Sequence, residues 1–274
     1  MDFFHLFVIF IATMIAGAIN AVAGGGTVFS FSAMVWAGLP TVVANATNAT
    51  ALVPGSIGSV IAYWRDLVPQ WRRMLVLLIP TISGSLLGAF TVANTSESIF
   101  RRVVPFLILF AISVFAARNF FTNFSKRAVA AAAANVAANA KANAGAKAES
   151  ISTGGYALGI FLQFIISFYG GYFGAGIGIL MLTSLSVIGM SDIHRMNALK
   201  TLLATAINGT AMIFFISAGK VDWQVVPVAA VGALIGGYLL ARLAKKVDQQ
   251  TIRIGVIVAG LIVSAWMFVR LYLS

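Results

Sequence analysis

The fold is decided by the stretch Gly17-Ala-Ile-Asn-Ala-Val-Ala-Gly-Gly-Gly-Thr27 and by the polar run Ala44-Asn-Ala-Thr-Asn-Ala-Thr50 that follows it. Three consecutive glycines predict a break in an apolar helix, because each costs about 1 kcal/mol relative to alanine in a helix interior. Within a lipid bilayer, such a break is tolerated only where protein or a water-filled cavity satisfies the freed backbone groups. The stretch therefore predicts that the broken helix lines a functional site within the membrane.

The composition predicts an all-α integral membrane protein. Hydrophobic residues make up 60% of the chain and charged residues 9%, and the mean hydropathy is +0.97. The absence of cysteine excludes disulfides and thiolate metal sites. The formal charge of +11 comes from bases near the ends of apolar segments, where the positive-inside rule and lipid headgroups explain them. We therefore expect a lipid bilayer around the protein and no nucleic acid as a partner.

An internal repeat divides the chain into two halves. Two apolar segments, Val28–Leu39 and Ile177–Ile188, are too short to cross a hydrocarbon core of about 30 Å, and each follows a glycine break. An offset of 152 residues superposes several matching positions: Asn45 on Asn197, Trp71 on Trp223, Gly84 on Gly236 and Arg101 on Arg253. We predict membrane repeats at 1–123 and 154–274, joined by an Ala/Asn/Lys-rich cytoplasmic linker at 124–153.

Loop charges predict that the two repeats have inverted topology. The loop with Arg65, Arg72 and Arg73 against Asp66 corresponds to a second-half loop with only Lys220 and Asp222, and the next pair of loops reverses this bias. By the positive-inside rule, equivalent loops lie on opposite sides of the membrane. Each repeat is expected to contain a glycine-broken helix pair, folded as a hairpin, and three transmembrane helices. Both termini are then outside. Duplicated halves with broken helices are typical of transporters with a midplane site between the repeats.

Lys200 is the one base that lies clearly inside an apolar segment. A cation at the bilayer centre costs about 2.5 to 3.5 kcal/mol, which favours a substrate-binding role. The alternative is that Lys200 lies about four residues from the start of its predicted helix and extends its ammonium group to the membrane surface. The sequence leaves both open.

Amides and hydroxyls lie at the predicted helix starts beside both breaks, where they are suited to bind an oxyanion. These candidate substrate-binding residues are Asn45, Thr47 and Asn48 in the first half, and Asn197 and Thr201 in the second. Helix N-termini add unpaired N–H donors and about half a positive charge each. The alternative is that these side chains cap helices or bridge neighbouring helices.

Glycines at the two breaks complete the candidate substrate site. They are Gly25 and Gly26 in the first half and Gly174 and Gly176 in the second. Small residues also permit close helix packing in membranes, so both roles are open for them. The four-residue spacings of Gly84 with Gly88 and of Gly232 with Gly236 are interpreted as packing motifs.

Enzyme chemistry is not predicted. His5 and His194 are the only histidines, no carboxylate lies clearly within a span, and metal-ligand spacing is absent from the sequence. We therefore expect no catalytic residues, no metal and no cofactor.

The duplicated motifs resemble those of the TauE/SafE-type sulfite exporter family. The resemblance rests on Ala23-Gly-Gly-Gly26 with Gly38-Leu-Pro40, and on Tyr169-Gly-Gly-Tyr-Phe-Gly-Ala-Gly176 with Asn197-Ala-Leu-Lys-Thr201. It covers nearly the whole chain outside the linker. It implies a multi-pass carrier in a prokaryotic-type inner membrane, with sulfite, an organosulfonate or a related sulfur anion as the substrate.

The function predicted from all of this is export of a small sulfur-containing anion by alternating access. The first alternative is an anion channel, which would conduct continuously where a carrier saturates. The second is a structural membrane protein, which would have no cavity at the glycine breaks.

Overall fold

In the computed structural model, residues 1–22, 25–117, 153–190, 192–240 and 249–272 are described, and the regular elements in these ranges are all helical. The first half contains α1 Phe3–Val22, α2 Thr27–Trp36, α3 Thr41–Ala62, the short α4 Trp64–Leu67, α5 Trp71–Ala93 and α6 Glu97–Ala116. The second half contains α7 Thr153–Tyr172, α8 Ile177–Val187, α9 Ile193–Ser217, α10 Val226–Ile235 with a π-helical turn at Gly236–Leu240, and α11 Gln249–Tyr272. The predicted linker lies outside the described residues, except for Thr153.

The surface of the bundle is apolar and its interior contains polar groups. Phe3 is 84% exposed and Ile79 is 73% exposed, whereas Thr13, Asn48 and Gln163 are buried. This distribution suits a protein whose outer surface contacts lipid, where exposed polar groups are costly. Within the described ranges, four segments are long and apolar enough to cross a membrane: Phe3–Asn20, Trp64–Ala93, Glu97–Ala116 and Ile193–Ser217.

Both glycine breaks produce helical hairpins, as the sequence predicts. The rings of His5 and Trp36 are 5.2 Å apart, so the end of α2 lies beside the start of α1. In the second half, a Cβ on Gly159 near the start of α7 would touch Ile188, directly after α8. The helices α2 and α8 have 10 and 11 residues, so each rises only about 15 Å and is too short to cross a bilayer.

Each hairpin packs against a helix of the other half. The helix α7 lies along α5, and α1 lies along α10. A Cβ on Gly84 would lie 2.5 Å from the Phe164 carbonyl oxygen, and one on Gly232 would lie 2.6 Å from the Phe10 carbonyl oxygen. Gly88 and Gly236 meet backbone of α7 and α1 in the same way. The predicted packing role of these glycines is confirmed, because a side chain would prevent the close approach.

The helices α3 and α9 contact each other between the two hairpins, flanked by α5 and α10. The helix α3 begins at Thr41, where the Glu97 carboxylate accepts hydrogen bonds from the Thr41 hydroxyl (2.7 Å) and the Val42 N–H (3.0 Å). The helix α9 begins after Asp192, whose carboxylate accepts from the His194 N–H at 2.9 Å. These caps fix the starts of the two helices that line the site.

Candidate functional site

A cavity of about 80 Å³ lies where the two glycine breaks meet α3 and α9. One buried water needs roughly 10 to 15 Å³ on the same measure, so the cavity has room for several waters or one small polyatomic ion. Its walls come from both halves: Gly17, Asn20, Gly25, Thr27, Leu52, Gly55, Ser56, Ser59, Gly174, Ile177, Gly178, Lys200, Thr201, Ala204, Asn208, Ala233 and Gly237.

The first break brings backbone to the cavity wall. Gly25 has φ +97°, a conformation that side chains rarely adopt, and the Gly26 N–H donates to Asn20 Oδ1 at 2.8 Å. This hydrogen bond holds the residue before α2 against the last turn of α1. The helix α2 therefore begins at the cavity, with Thr27 in its wall.

The second break reaches the same cavity. Gly174 has φ +79°, and the Tyr169 hydroxyl donates to the Ala175 carbonyl oxygen at 2.8 Å. Ile177 and Gly178, the first residues of α8, line the cavity. Two helix N-termini therefore reach one cavity, each with N–H donors and about half a positive charge.

Lys200 lines this cavity and is 6% exposed. It is the only ionisable side chain among the lining residues in the described part of the chain. The helix α9 begins at Ile193, earlier than the sequence predicts, so Lys200 lies about 10 Å of helical rise from its start. The predicted distance of about four residues was wrong, because the Asp192 cap adds a turn. Seven residues therefore separate Lys200 from the start of α9, three more than the alternative of extension to the surface assumed.

Hydroxyl and amide side chains supply the other polar groups of the wall. Ser56 and Ser59 come from α3, and Thr201 and Asn208 come from α9. The Thr201 hydroxyl donates to the Asn197 carbonyl oxygen at 2.8 Å and so keeps lone pairs for another donor.

Five polar lining residues were not predicted from the sequence: Asn20, Thr27, Ser56, Ser59 and Asn208. A signal for two of them was present, because the offset of 152 residues pairs Ser56 with Asn208. The same offset pairs Leu52 with Ala204, one helical turn earlier, and both also line the cavity.

Four of the ten predicted site residues lie in the wall of this cavity, namely Gly25, Gly174, Lys200 and Thr201. The other six lie outside it, namely Asn45, Thr47, Asn48, Asn197, Gly26 and Gly176. Gly26 and Gly176 directly precede α2 and α8. Asn197 is half-buried in the second turn of α9. A substrate contact of all ten residues stays a prediction.

The amides of the first half lie within α3 and not at its start, which corrects the predicted position. Asn45 Nδ2 donates to the Tyr172 carbonyl oxygen at 3.0 Å, and the Asp222 N–H donates to Thr47 Oγ1 at 2.9 Å. Asn48 is 1% exposed, and its Oδ1 has no hydrogen-bond partner among the described residues. Asn45 and Thr47 therefore bridge segments, which the sequence left open as their alternative role.

The described part of the chain contains no group of three or more His, Asp or Glu side chains that could hold a metal ion. The chemistry of the cavity consists of one ammonium group, two helix N-termini and neutral hydrogen-bonding side chains. This set suits binding of a small anion.

Apolar helices packed around an internal polar cavity, with broken helices at its wall, define a membrane transporter. The family model described as "Sulfite exporter TauE/SafE" matches residues 9–267. The chain therefore belongs to the TauE/SafE sulfite exporter family, as its motifs predict.

Curated relatives have the same general description. A "Probable membrane transporter protein" of Haemophilus influenzae is 25% identical over 96% of this chain and 94% of its own. The "Probable membrane transporter protein YfcA" of Escherichia coli K12 is 25% identical over 94% of this chain and 87% of its own. "Probable membrane transporter protein ORF9" of a Sinorhizobium species is 23% identical over 91% and 87%. No solved structure matched the chain.

Proposed function

We propose that this transporter is an alternating-access carrier that exports a small sulfur oxyanion or sulfonate, such as sulfite, through the cavity between its two halves. The observation that carries the proposal is that both glycine breaks reach one cavity, whose only ionisable lining side chain is Lys200. The substrate class follows from the family, which is that of sulfite exporters.

The charge of the cavity supports an anionic substrate. Lys200 supplies one positive charge, and the starts of α2 and α8 supply about half a charge each. No carboxylate is among the lining residues. In this arrangement Lys200 neutralises the anion and the Asn208 amide donates hydrogen bonds to its oxygens, whereas the Ser56 and Thr201 hydroxyls donate to carbonyl oxygens of their own helices.

The helix packing supports two repeats related by a two-fold axis. Under the offset of 152 residues, α5 corresponds to α10 and α6 to α11, while α1 and α7 occupy matching places in their halves. A two-fold rotation would then convert the α5–α7 pair into the α10–α1 pair, and the helices of both pairs pack closely. Corresponding helices also pair with each other, α3 with α9 and α6 with α11. A two-fold relation between 1–123 and 154–274 would give this pattern.

The loop charges support an inverted arrangement in a bacterial-type inner membrane. The loop that follows α3 contains Arg65, Arg72 and Arg73. Arg195, at the start of α9, lies on the same side of the bundle, because Gln70 Nε2 from this loop donates to the Arg195 carbonyl oxygen at 3.3 Å. The positive-inside rule assigns this side to the cytoplasm, which puts both termini outside. Export of one negative charge from an inside-negative cell then releases about 2.3 kcal/mol per 100 mV, so it requires no coupling ion.

Flux measurements in proteoliposomes test the proposal. Sulfite and sulfoacetate uptake should saturate with concentration, as expected of a carrier. Lys200→Gln should weaken apparent sulfite affinity about ten- to hundredfold, because a hydrogen bond to a charged group contributes about 1.5 to 3 kcal/mol. Lys220→Gln is the matched control, since Lys220 follows α9 at its other end, away from the cavity.

Two results would contradict the proposal. Sulfite flux that rises linearly with concentration would favour a channel. Unchanged sulfite affinity in Lys200→Gln, with the same value in Lys220→Gln, would remove Lys200 from the substrate site.

A further inference from the structure

We infer that Asn45 and Thr47 hold closed an outer gate, which is formed where the tip of the second hairpin and the segment after α9 meet the first half of α3. This inference rests on the proposed function, because a gate has meaning only in a carrier that opens on alternate sides. It gives these two residues a positioning role in the transport cycle.

The helix α3 has two different halves. From Thr41 to Val53, nearly every residue is buried, and Ala44, Ala46, Thr47 and Ala51 have no exposed surface. After Val53, the helix presents Gly55, Ser56 and Ser59 to the cavity. The cavity therefore lies towards the end of α3 that leads to Arg65, and packed protein fills the other end.

Hydrogen bonds join the closed end across the two halves of the chain. Asn45 on α3 donates to the carbonyl oxygen of Tyr172, the last residue of α7, and Thr47 accepts from the N–H of Asp222, in the segment between α9 and α10. Both bonds are between neutral groups, so they are weaker than charged pairs and suited to break and re-form during a cycle.

Aromatic rings complete the closure. The rings of Phe31 and Phe173 meet edge to face at 5.2 Å, and those of Phe100 and Tyr172 meet edge to face at 5.6 Å. Phe31 and Phe100 have no exposed surface, and Phe173 is 3% exposed. The tip of the second hairpin is thus packed against α2 and α6 as well as α3.

Corresponding positions of the two halves differ in their access to the cavity, as expected for an alternating-access carrier in one state of its cycle. Asn48 corresponds to Lys200 under the offset of 152 residues; Lys200 lines the cavity, whereas Asn48 is buried behind the gate. A buried amide oxygen without a partner is costly, and the Asn48 Oδ1 has none among the described residues. Opening of the gate would give this oxygen water or substrate, so we assign Asn48 to the wall of an outward-open cavity.

Thiol labelling tests the gate, since the natural chain contains no cysteine. Ser56→Cys and Asn48→Cys are made singly and treated with a membrane-impermeant thiol reagent in right-side-out and inverted membrane vesicles. Ser56→Cys should react only in inverted vesicles. Asn48→Cys should react slowly in right-side-out vesicles, because the gate covers it.

Loosening the gate should change this pattern in one direction. Thr47→Val removes the acceptor for the Asp222 N–H, and Asn45→Ala removes the donor to Tyr172. Either should speed labelling of Asn48→Cys in right-side-out vesicles about three- to tenfold, the population shift expected for one lost hydrogen bond. Thr50→Val is the matched control, because the Thr50 hydroxyl bonds only within α3, to the Ala46 carbonyl oxygen. Retained labelling of Ser56→Cys in inverted vesicles shows that each variant is folded.

The gate is overturned if Asn48→Cys already reacts in right-side-out vesicles as fast as Ser56→Cys does in inverted ones. It is also overturned if Thr47→Val and Asn45→Ala change labelling no more than Thr50→Val does. Labelling is measured without substrate, so absent sulfite flux together with gated labelling would refute the proposed substrate and leave the gate supported. Saturable sulfite flux without gated labelling would refute the gate alone.

Discussion

Gly25→Ala tests whether the first glycine break is fixed by its surroundings. Gly25 has φ +97°, and a Cβ there would overlap the ring of Phe115 on α6. A side chain at positive φ costs about 1 to 2 kcal/mol, and overpacking a filled site costs about 1 to 3 kcal/mol more. We therefore expect the free energy of unfolding to fall by about 2 to 5 kcal/mol.

Gly38→Ala separates the two costs. Gly38 has φ +98°, but nothing lies within 4 Å of a Cβ built there. Gly38→Ala should therefore lower the free energy of unfolding only by the backbone cost, about 1 to 2 kcal/mol. The difference between the two variants then measures the contact with Phe115. In a double-mutant cycle, Gly25→Ala should cost less in the Phe115→Leu background than in the natural chain, because the smaller side chain makes room for the methyl group.

Reversible unfolding in detergent micelles, by denaturant titration of the natural chain and of Gly25→Ala, Gly38→Ala, Phe115→Leu and the double variant, provides the free energies. Sulfite flux provides a second measurement, because Gly25 lines the cavity and a displaced break should lower transport even in a folded variant. Equal losses in Gly25→Ala and Gly38→Ala would refute the reasoning. So would an equal cost of Gly25→Ala with and without Phe115→Leu, since the methyl group would then not meet that ring.

Two further predictions concern helix packing and capping. Gly88→Ala should lower the free energy of unfolding by about 1 to 3 kcal/mol, because a Cβ there would overlap the Phe168 carbonyl oxygen; Gly209→Ala, with open space around its Cβ, should raise it by up to about 1 kcal/mol. Unfolding titrations check both, and loss of stability in Gly209→Ala would contradict the packing argument. Glu97→Gln should cost about 1 to 3 kcal/mol, because it removes the charge that caps α3; an unchanged unfolding midpoint would contradict this role.

Local features of the sequence were sufficient to predict the breaks, the short helices and the hairpins. The glycines at 25–26 and 174–176 lie between helices, where the low helix preference of glycine favours an interruption. The lengths of α2 and α8 then exclude a crossing of the bilayer. The glycine pairs with four-residue spacing were predictable for the same reason, since close packing requires small residues on one face of a helix.

The orientation of α3 could not be predicted from local features. Asn45 and Thr47 face protein because of Tyr172 and Asp222, which lie more than a hundred residues further along the chain. A helical periodicity identifies which residues share a face, but it does not identify the helix that covers that face. The cavity residues Ser56 and Asn208 were missed for this reason.

The last interruption is also a property of the packed bundle. The sequence is apolar throughout from Val225 to Leu240, whereas α10 widens into a π-helical turn at Gly236–Leu240. Such turns are frequent at functional sites, and Gly237 lies in the cavity wall. Its neighbours there include Gly17 and Gly55 from two other helices, which the sequence around α10 does not reveal.

The crossed docking of the hairpins has a consequence for how the protein is made. The helix α1 rests on α10, where Gly236 meets Met14, so the first segment synthesised finds its partner among the last. Until then the face of α1 that packs on α10 lacks this partner in the membrane. Biogenesis should therefore depend on an insertase or chaperone that shields the early segments. A truncated product ending before α10 should be degraded and not accumulate as a stable half.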